Sequence, residues 1–146
     1  YSKTKRLRSL FSIEKKLRLD KLSTYKKFAK NVYKSKVELI NLLKKIKKNG
    51  KKISAYGATS KSTTIFNFCK IDNNLIDNYY DSTKMKQNKF SPGVHIPVKS
   101  FSKMKNYPDY FFLSAWNHKK EIFDKEKEFK KKGGRWILHV PKVRLV

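Results

Sequence analysis

Residues 51–69 read KKISAYGATSKSTTIFNFC, and the change of period inside this stretch decides the fold. Lys52-Ile53-Ser54-Ala55-Tyr56 is a short strand that ends at Gly57. From Lys61 to Cys69 the apolar residues Ile65, Phe66, Phe68 and Cys69 take helical spacing. A glycine directly after a strand lets the chain turn sharply into a helix. The following helix start presents unpaired N–H groups and partial positive charge. Thr59, Ser60, Ser62 and Thr63 add hydroxyls there, and Lys61 adds a full charge. Two readings stand side by side: a seat for phosphate or pyrophosphate, or an ordinary capped strand–helix turn. The stretch is neither G-x-G-x-x-G nor a Walker A loop.

Working outward, Tyr25 to Lys48 carries Tyr25, Phe28, Ala29, Val32, Tyr33, Val37, Leu39, Ile40, Leu42, Leu43 and Ile46 at spacings of three and four. That is an amphipathic helix, with Ser23 or Thr24 as its cap and Gly50 as its stop. Residues 1–22 form a basic amphipathic arm or linker, with Leu7, Leu10, Phe11, Ile13, Leu17 and Leu19 among eight Lys/Arg. The arm is expected to pack on a neighbour preceding it. Residues 23–146 are expected to form one domain.

Downstream, Leu75 to Asp81 is a second strand, and Ser82 to Gly93 a loop rich in Lys, Ser and Asn with one Pro. His95 to Val98 is a brief extended piece that turns His95 to the face opposite Val94 and Ile96. Tyr110 to Trp116 is a strongly apolar strand. Asn117 caps a helix to about Lys132, Gly133-Gly134 ends it, and Arg135 to Val140 is the last strand, stopped by Pro141. Strands alternating with helices predict an α/β fold: a small Rossmann-like parallel sheet flanked by helices and preceded by the helical arm.

In such a sheet ligands bind beyond the carboxyl ends of the strands. That rule gathers Gly57 to Ser62, Asp81 to Lys89, Trp116-Asn117 and Pro141-Lys142 along one edge. Asp81 is either a ribose acid or a turn former. Lys84, Lys86 and Lys89 reach a diphosphate or are simply solvated. His95 is a ligand contact or a loop hydrogen-bonder, Trp116 a stacking platform or a core residue, and Asn117 a helix cap or a contact.

Composition narrows the classes. The chain has 146 residues, of which 37 are Lys or Arg and 11 Asp or Glu, a net charge of +26. Any polyanion is attracted by such a field. Yet five of those cations are Arg and the rest Lys, spread along the chain beside ten Asn. That pattern reads as a solvated lysine surface before it reads as a nucleic-acid footprint. No apolar run approaches the ~20 residues of a membrane helix, and the N-terminus lacks a signal-peptide core. The single cysteine, Cys69, excludes an internal disulfide and suits a reducing, cytoplasmic compartment. His95, His118 and His139 are scattered, so no metal site is expected. Cys69 is expected to be buried and inert.

Read in order, several motifs resemble a known family. They are Tyr56-Gly57-Ala58-Thr59-Ser60-Lys61, Asn67 to Asp72, Leu75-Ile76-Asp77, Asp81-Ser82-Thr83, and Lys86-Gln87-Asn88-Lys89-Phe90-Ser91-Pro92-Gly93-Val94-His95-Ile96-Pro97-Val98. Pro108-Asp109-Tyr110, Trp116-Asn117, Gly133-Gly134-Arg135 and Pro141 continue the series. Together with Leu19-Asp20 and the Tyr25-to-Gly50 helix, the set resembles the C-terminal domain of S-adenosylmethionine-dependent sugar C-methyltransferases, from about Leu10 on. The sequence departs from that pattern at Ser62, where glycine is usual, and at Ser82-Thr83-Lys84, where Arg-Asn-Pro or Thr-Thr-Pro is common.

The resemblance implies a substrate-holding domain. In the family an N-terminal zinc-binding piece and a central domain carrying S-adenosylmethionine and the catalytic base precede it. The partner is then a nucleotide-linked sugar. S-adenosylmethionine belongs to the full-length enzyme, and this chain binds no cofactor and is inactive alone. The matching positions are Gly57, Ala58, Lys61, Asp81, Lys86, Gln87, Lys89, His95, Trp116 and Asn117. Gly57 to Lys61, with Thr59 and Ser60, would cradle the diphosphate and Asp81 would meet a hydroxyl. His95 and Trp116-Asn117 would line the remaining wall. The alternative is a basic nucleic-acid-binding or scaffold protein on a borrowed α/β fold.

Overall fold

The computed structural model describes residues 4–146, so the first three residues of the expected arm lie outside the described residues. The chain divides into two units, one ending at Ser35 and the other running from Lys36 to Val146. In the first, α1 (Lys5–Lys16) begins at Thr4, whose hydroxyl oxygen accepts from the Leu7 N–H. The next helix, α2 (Leu22–Lys48), starts ahead of the expected Ser23 or Thr24 cap, so both residues sit in its first turn. The Thr24 hydroxyl instead donates to the Arg18 carbonyl at 2.8 Å, and the Tyr25 phenol to Leu19 at 2.7 Å, pinning the α1–α2 turn. None of the described residues up to Ser35 is buried.

The second unit is built on a six-stranded sheet of order β3-β2-β1-β4-β5-β6. Its strands are β1 (Ile53–Tyr56), β2 (Asn78–Tyr80), β3 (Val98–Lys99), β4 (Tyr110–Leu113), β5 (Arg135–Leu138) and β6 (Arg144–Leu145). The first five pair in parallel, and β6 returns antiparallel to β5. Central parallel strands are covered on both faces, which is why they read as unbroken apolar runs. Ala55 stands opposite Tyr79 and Phe112, and alternation sends these side chains to one face. There they meet Leu39, Leu43 and Ile46 of α2 and Phe66 and Cys69 of α3 (Ser60–Cys69). On the other face Tyr56, Phe111, Trp136 and Leu138 pack with Phe129 and Ile122. Phe111 anchors that cluster, its ring 4.7 Å from Phe129 and 5.4 Å from Trp136.

The mixed α/β architecture and the helical arm are as expected; several boundaries are not. The second strand begins at Asn78, because the Asp77 carboxylate is drawn off to the Ile53 N–H and to Lys47. The Tyr110 strand stops at Leu113, and Trp116 lies in a 3-10 turn, Trp116–His118. Asn117 is inside that turn and caps nothing; the position before α4 (Lys119–Lys125) is His118. The expected helix to Lys132 is broken at Glu126, whose carboxylate accepts from the Tyr56 hydroxyl, and α5 (Lys127–Lys131) follows. Gly134 passes so close to the Phe129 ring that a Cβ there would collide with it.

The Ser82–Gly93 segment is a largely exposed loop with fixed internal structure. It holds a 3-10 turn at Lys84–Lys86, and Asn88 and Lys89 exchange backbone hydrogen bonds with Val98. The Asn67 amide reaches across from α3 to the Pro92 carbonyl, flush against Gly93. The extended reading of His95 fails here: with φ 53 it turns in the left-handed region, and the strand begins only at Val98.

Candidate functional site

Strand order reverses between β1 and β4, and the loops after β1, β2 and β4 meet at that switch point. Gly57 makes the first turn at φ 86, a conformation that side chains rarely adopt. α3 then opens with a reciprocal capping box. Thr59 Oγ1 accepts from the Ser62 N–H, and Ser62 Oγ accepts from the Thr59 N–H, each at 3.1 Å. Ser62, the departure from the family's glycine, is therefore a buried capping residue. Among the described residues, the Ser60 and Lys61 N–H groups have no hydrogen-bond partner.

Asp81 is a latch. One carboxylate oxygen accepts from the Ala58 N–H and the other from Thr83 N–H, each at 2.7 Å, with Lys86 Nζ 3.5 Å away. Burial opposes its ionisation, but the N–H groups and Lys86 outweigh burial and hold its pKa below the usual carboxylate value. Lys86 also donates to the Ala58 carbonyl at 2.8 Å, and the Gln87 amide to the Asp81 carbonyl at 2.9 Å. These side chains clamp the β2–β3 loop onto the glycine turn.

Two cavities flank the clamp. The larger, about 510 Å³, lies between the start of α3 and the β2–β3 loop. Tyr79 and Val98 contribute from the sheet, Met85, Phe90 and Pro92 form an apolar wall, and Ala58, Ser60 and Thr63 stand opposite. Lys86 and Lys89 supply charge. The smaller, about 340 Å³, is lined by Tyr56, Gly57, Asp81, Ser82, Phe101 and Ala115 from the sheet side, and by His118, Glu121, Ile122 and Lys125 from the α4 side. Burial, then the hydrogen bond to Glu126, pushes the Tyr56 phenol far up, so it stays protonated.

Of the residues named from sequence, Ala58, Thr59, Ser60, Lys86 and Lys89 line the larger cavity, and Gly57 and Asp81 the smaller. Lys61 stands exposed on the first turn of α3 and Gln87 is spent on the clamp. His95, Trp116 and Asn117 line neither cavity. Sequence reading missed Tyr79, Met85 and Phe90, and on the other side Tyr56, Phe101, His118, Glu121 and Lys125. A residue ending the first strand, such as Tyr56, was signalled by Gly57 beside it. Phe101 and Glu121 carried no local signal, since tertiary folding alone brings them to the rim.

Other groups bound the chemistry. His139 follows β5, is 7% exposed and stacks on Phe112 with centroids 5.0 Å apart. Its Nδ1 has no partner, and burial lowers its pKa to about 4. Cys69 is buried and unpaired, as expected, with its thiol pushed up by burial against the opposing charge of Lys36. Among the described residues no cluster of three His, Cys, Asp or Glu is placed for a metal, and no helix is long and apolar enough to cross a membrane.

The chain is 35% identical over 123 residues to the C-methyltransferase NovU of Streptomyces niveus. That match takes in 84% of this chain and 29% of the relative, so the chain spans under a third of the relative's length. Residues 1–141 match the family described as the C-methyltransferase C-terminal domain, and the chain belongs to that family.

Proposed function

We propose that this domain binds the nucleoside-diphosphate-sugar substrate of an S-adenosylmethionine-dependent, cytoplasmic C-methyltransferase. The observation that supports the reading is the larger cavity. It joins an apolar wall, suited to a base and ribose, to Lys86, Lys89 and the open Ser60 N–H at the start of α3, suited to a diphosphate. In the intact enzyme a methyl group would pass to a sugar carbon made acidic by a neighbouring keto group. That step needs a positioned base, and no residue here is assigned that role. The methyl donor would be held outside this domain. Asp81 occupies the strand end where such folds keep an acid for a ribose, but its oxygens already serve Ala58 and Thr83. The family's zinc-binding and methyltransferase domains are the proposed partners.

Calorimetric titration of the 146-residue chain with dTDP tests the reading. Saturable binding is expected, weakened about threefold to tenfold by Lys89→Ala. Absence of saturation at millimolar nucleotide would remove the proposal.

A further inference from the structure

We propose that the α1–α2 arm is a self-association surface through which two copies of this chain pair, four helices closing over one apolar seam. The proposal does not depend on the nucleotide-sugar reading. Each helix of the arm carries an apolar stripe. In α1 it is Leu7, Leu10 and Leu17, and in the first half of α2 it is Leu22, Tyr25 and Phe28. Ten large apolar residues between Leu7 and Tyr33 are 39 to 67% exposed, and no described residue up to Ser35 is buried. Further along α2 the same stripe is buried as Leu39, Leu43 and Ile46. Its first half is thus surface of core type that the described residues leave uncovered. Where α1 meets α2, Phe11, Leu19 and Tyr25 line a groove of about 590 Å³ that can receive an apolar side chain.

Area and charge select the occupant. At roughly 100 Å² for each half-exposed side chain, these residues offer on the order of 1,000 Å², against the ~800 Å² that each partner of a stable complex buries. Cations lie on the far sides: Lys5, Arg8 and Lys15 across α1 from Leu10 and Leu17, and Lys27, Lys30 and Lys34 across α2 from Tyr25 and Phe28. An acidic partner drawn to those cations would leave the stripe bare. A lipid surface is disfavoured by Glu14, which stands three residues from Phe11 and from Leu17, inside the stripe, where hydrocarbon would have to take up its carboxylate. An apolar face is complementary to its own copy, and a twofold dimer joins identical patches in that way. The cations then stay at the rim, where they repel and where salt screens them.

Sedimentation equilibrium of the whole chain, from about 1 to about 100 µM and in about 50 and about 500 mM salt, tests the pairing. A dimer is expected, several-fold tighter at the higher salt because screening removes the repulsion at the rim. Leu10→Glu combined with Phe28→Glu should leave a monomer that keeps the near-ultraviolet aromatic signal of the sheet. Glu14→Leu takes a carboxylate out of the seam and should tighten the dimer about tenfold. A monomer at both salts overturns the proposal and leaves the face to a different protein domain. A dimer that loosens as salt rises, survives the double variant, or gains nothing from Glu14→Leu overturns it as well.

Discussion

His139 shows how one residue couples fold to solution conditions. Its imidazole is enclosed at the end of β5 against Phe112, with no partner to stabilise a charge. The folded pKa of about 4 lies below the ordinary value of 6.5, so the unfolded chain binds the extra proton between those pH values. Stability is therefore full above about pH 6.5 and falls as the pH drops towards 4. The loss amounts to about 3 kcal/mol over that window. Thermal melts of the wild type at pH 7 and pH 4 should show it, and His139→Phe should flatten the difference; an unchanged slope in the variant would refute the assignment. Asp81 acts in the same sense at lower pH, since its pKa is depressed and its two N–H contacts are lost only on protonation. Its clamp role was invisible in the sequence. A strand-terminal aspartate reads equally as a turn former or a ribose acid until the Ala58 and Thr83 N–H groups are seen around it.

At the scale of elements, the start of α3 carries the most consequence. A reciprocal cap satisfies two of the N–H groups at this turn and leaves those of Ser60 and Lys61 open. Replacing Ser62 by alanine removes the acceptor for the Thr59 N–H and should cost about 1 kcal/mol. A domain of this size then melts about 2–4 °C lower. Absence of any shift in calorimetric melting would show the box to be energetically idle. The same scale explains the broken helix after β4. Helical spacing from Asn117 to Lys132 is continuous in sequence, yet the buried Tyr56 hydroxyl takes Glu126 as its acceptor, and the chain leaves helical geometry at that residue. A distant hydrogen bond overrides local propensity, which sequence spacing does not register.

Over the whole molecule, charge and exposed apolar surface dominate. Lysines coat the chain, and nothing in the structure concentrates arginine for base or phosphate forks. Binding to duplex DNA should thus be indifferent to sequence and fall more than tenfold between 50 and 200 mM salt. Affinity that discriminates between sequences would favour the nucleic-acid alternative, and a flat salt response would remove it. In the first unit Leu10, Phe11, Leu22 and Phe28 stand exposed and no described residue is buried. An α1 of 12 residues is marginal as an isolated helix.

What the sequence determined by itself was the alternation of strand and helix, the parallel sheet, the glycine turn after β1 and the family motifs. Local periodicity and φ preference suffice for those. Tertiary structure alone decided that Asp81, Lys86 and Gln87 hold the rim together, that His95 lines neither cavity, and that Tyr56, Phe101, His118 and Glu121 share a crevice. It also decided the antiparallel β6, because Arg144-Leu145 is too short to carry a period and forms only through its ladder with β5. The division has one physical cause: spacing along a chain reports which face a residue takes, while the neighbour across that face is set by how the elements pack.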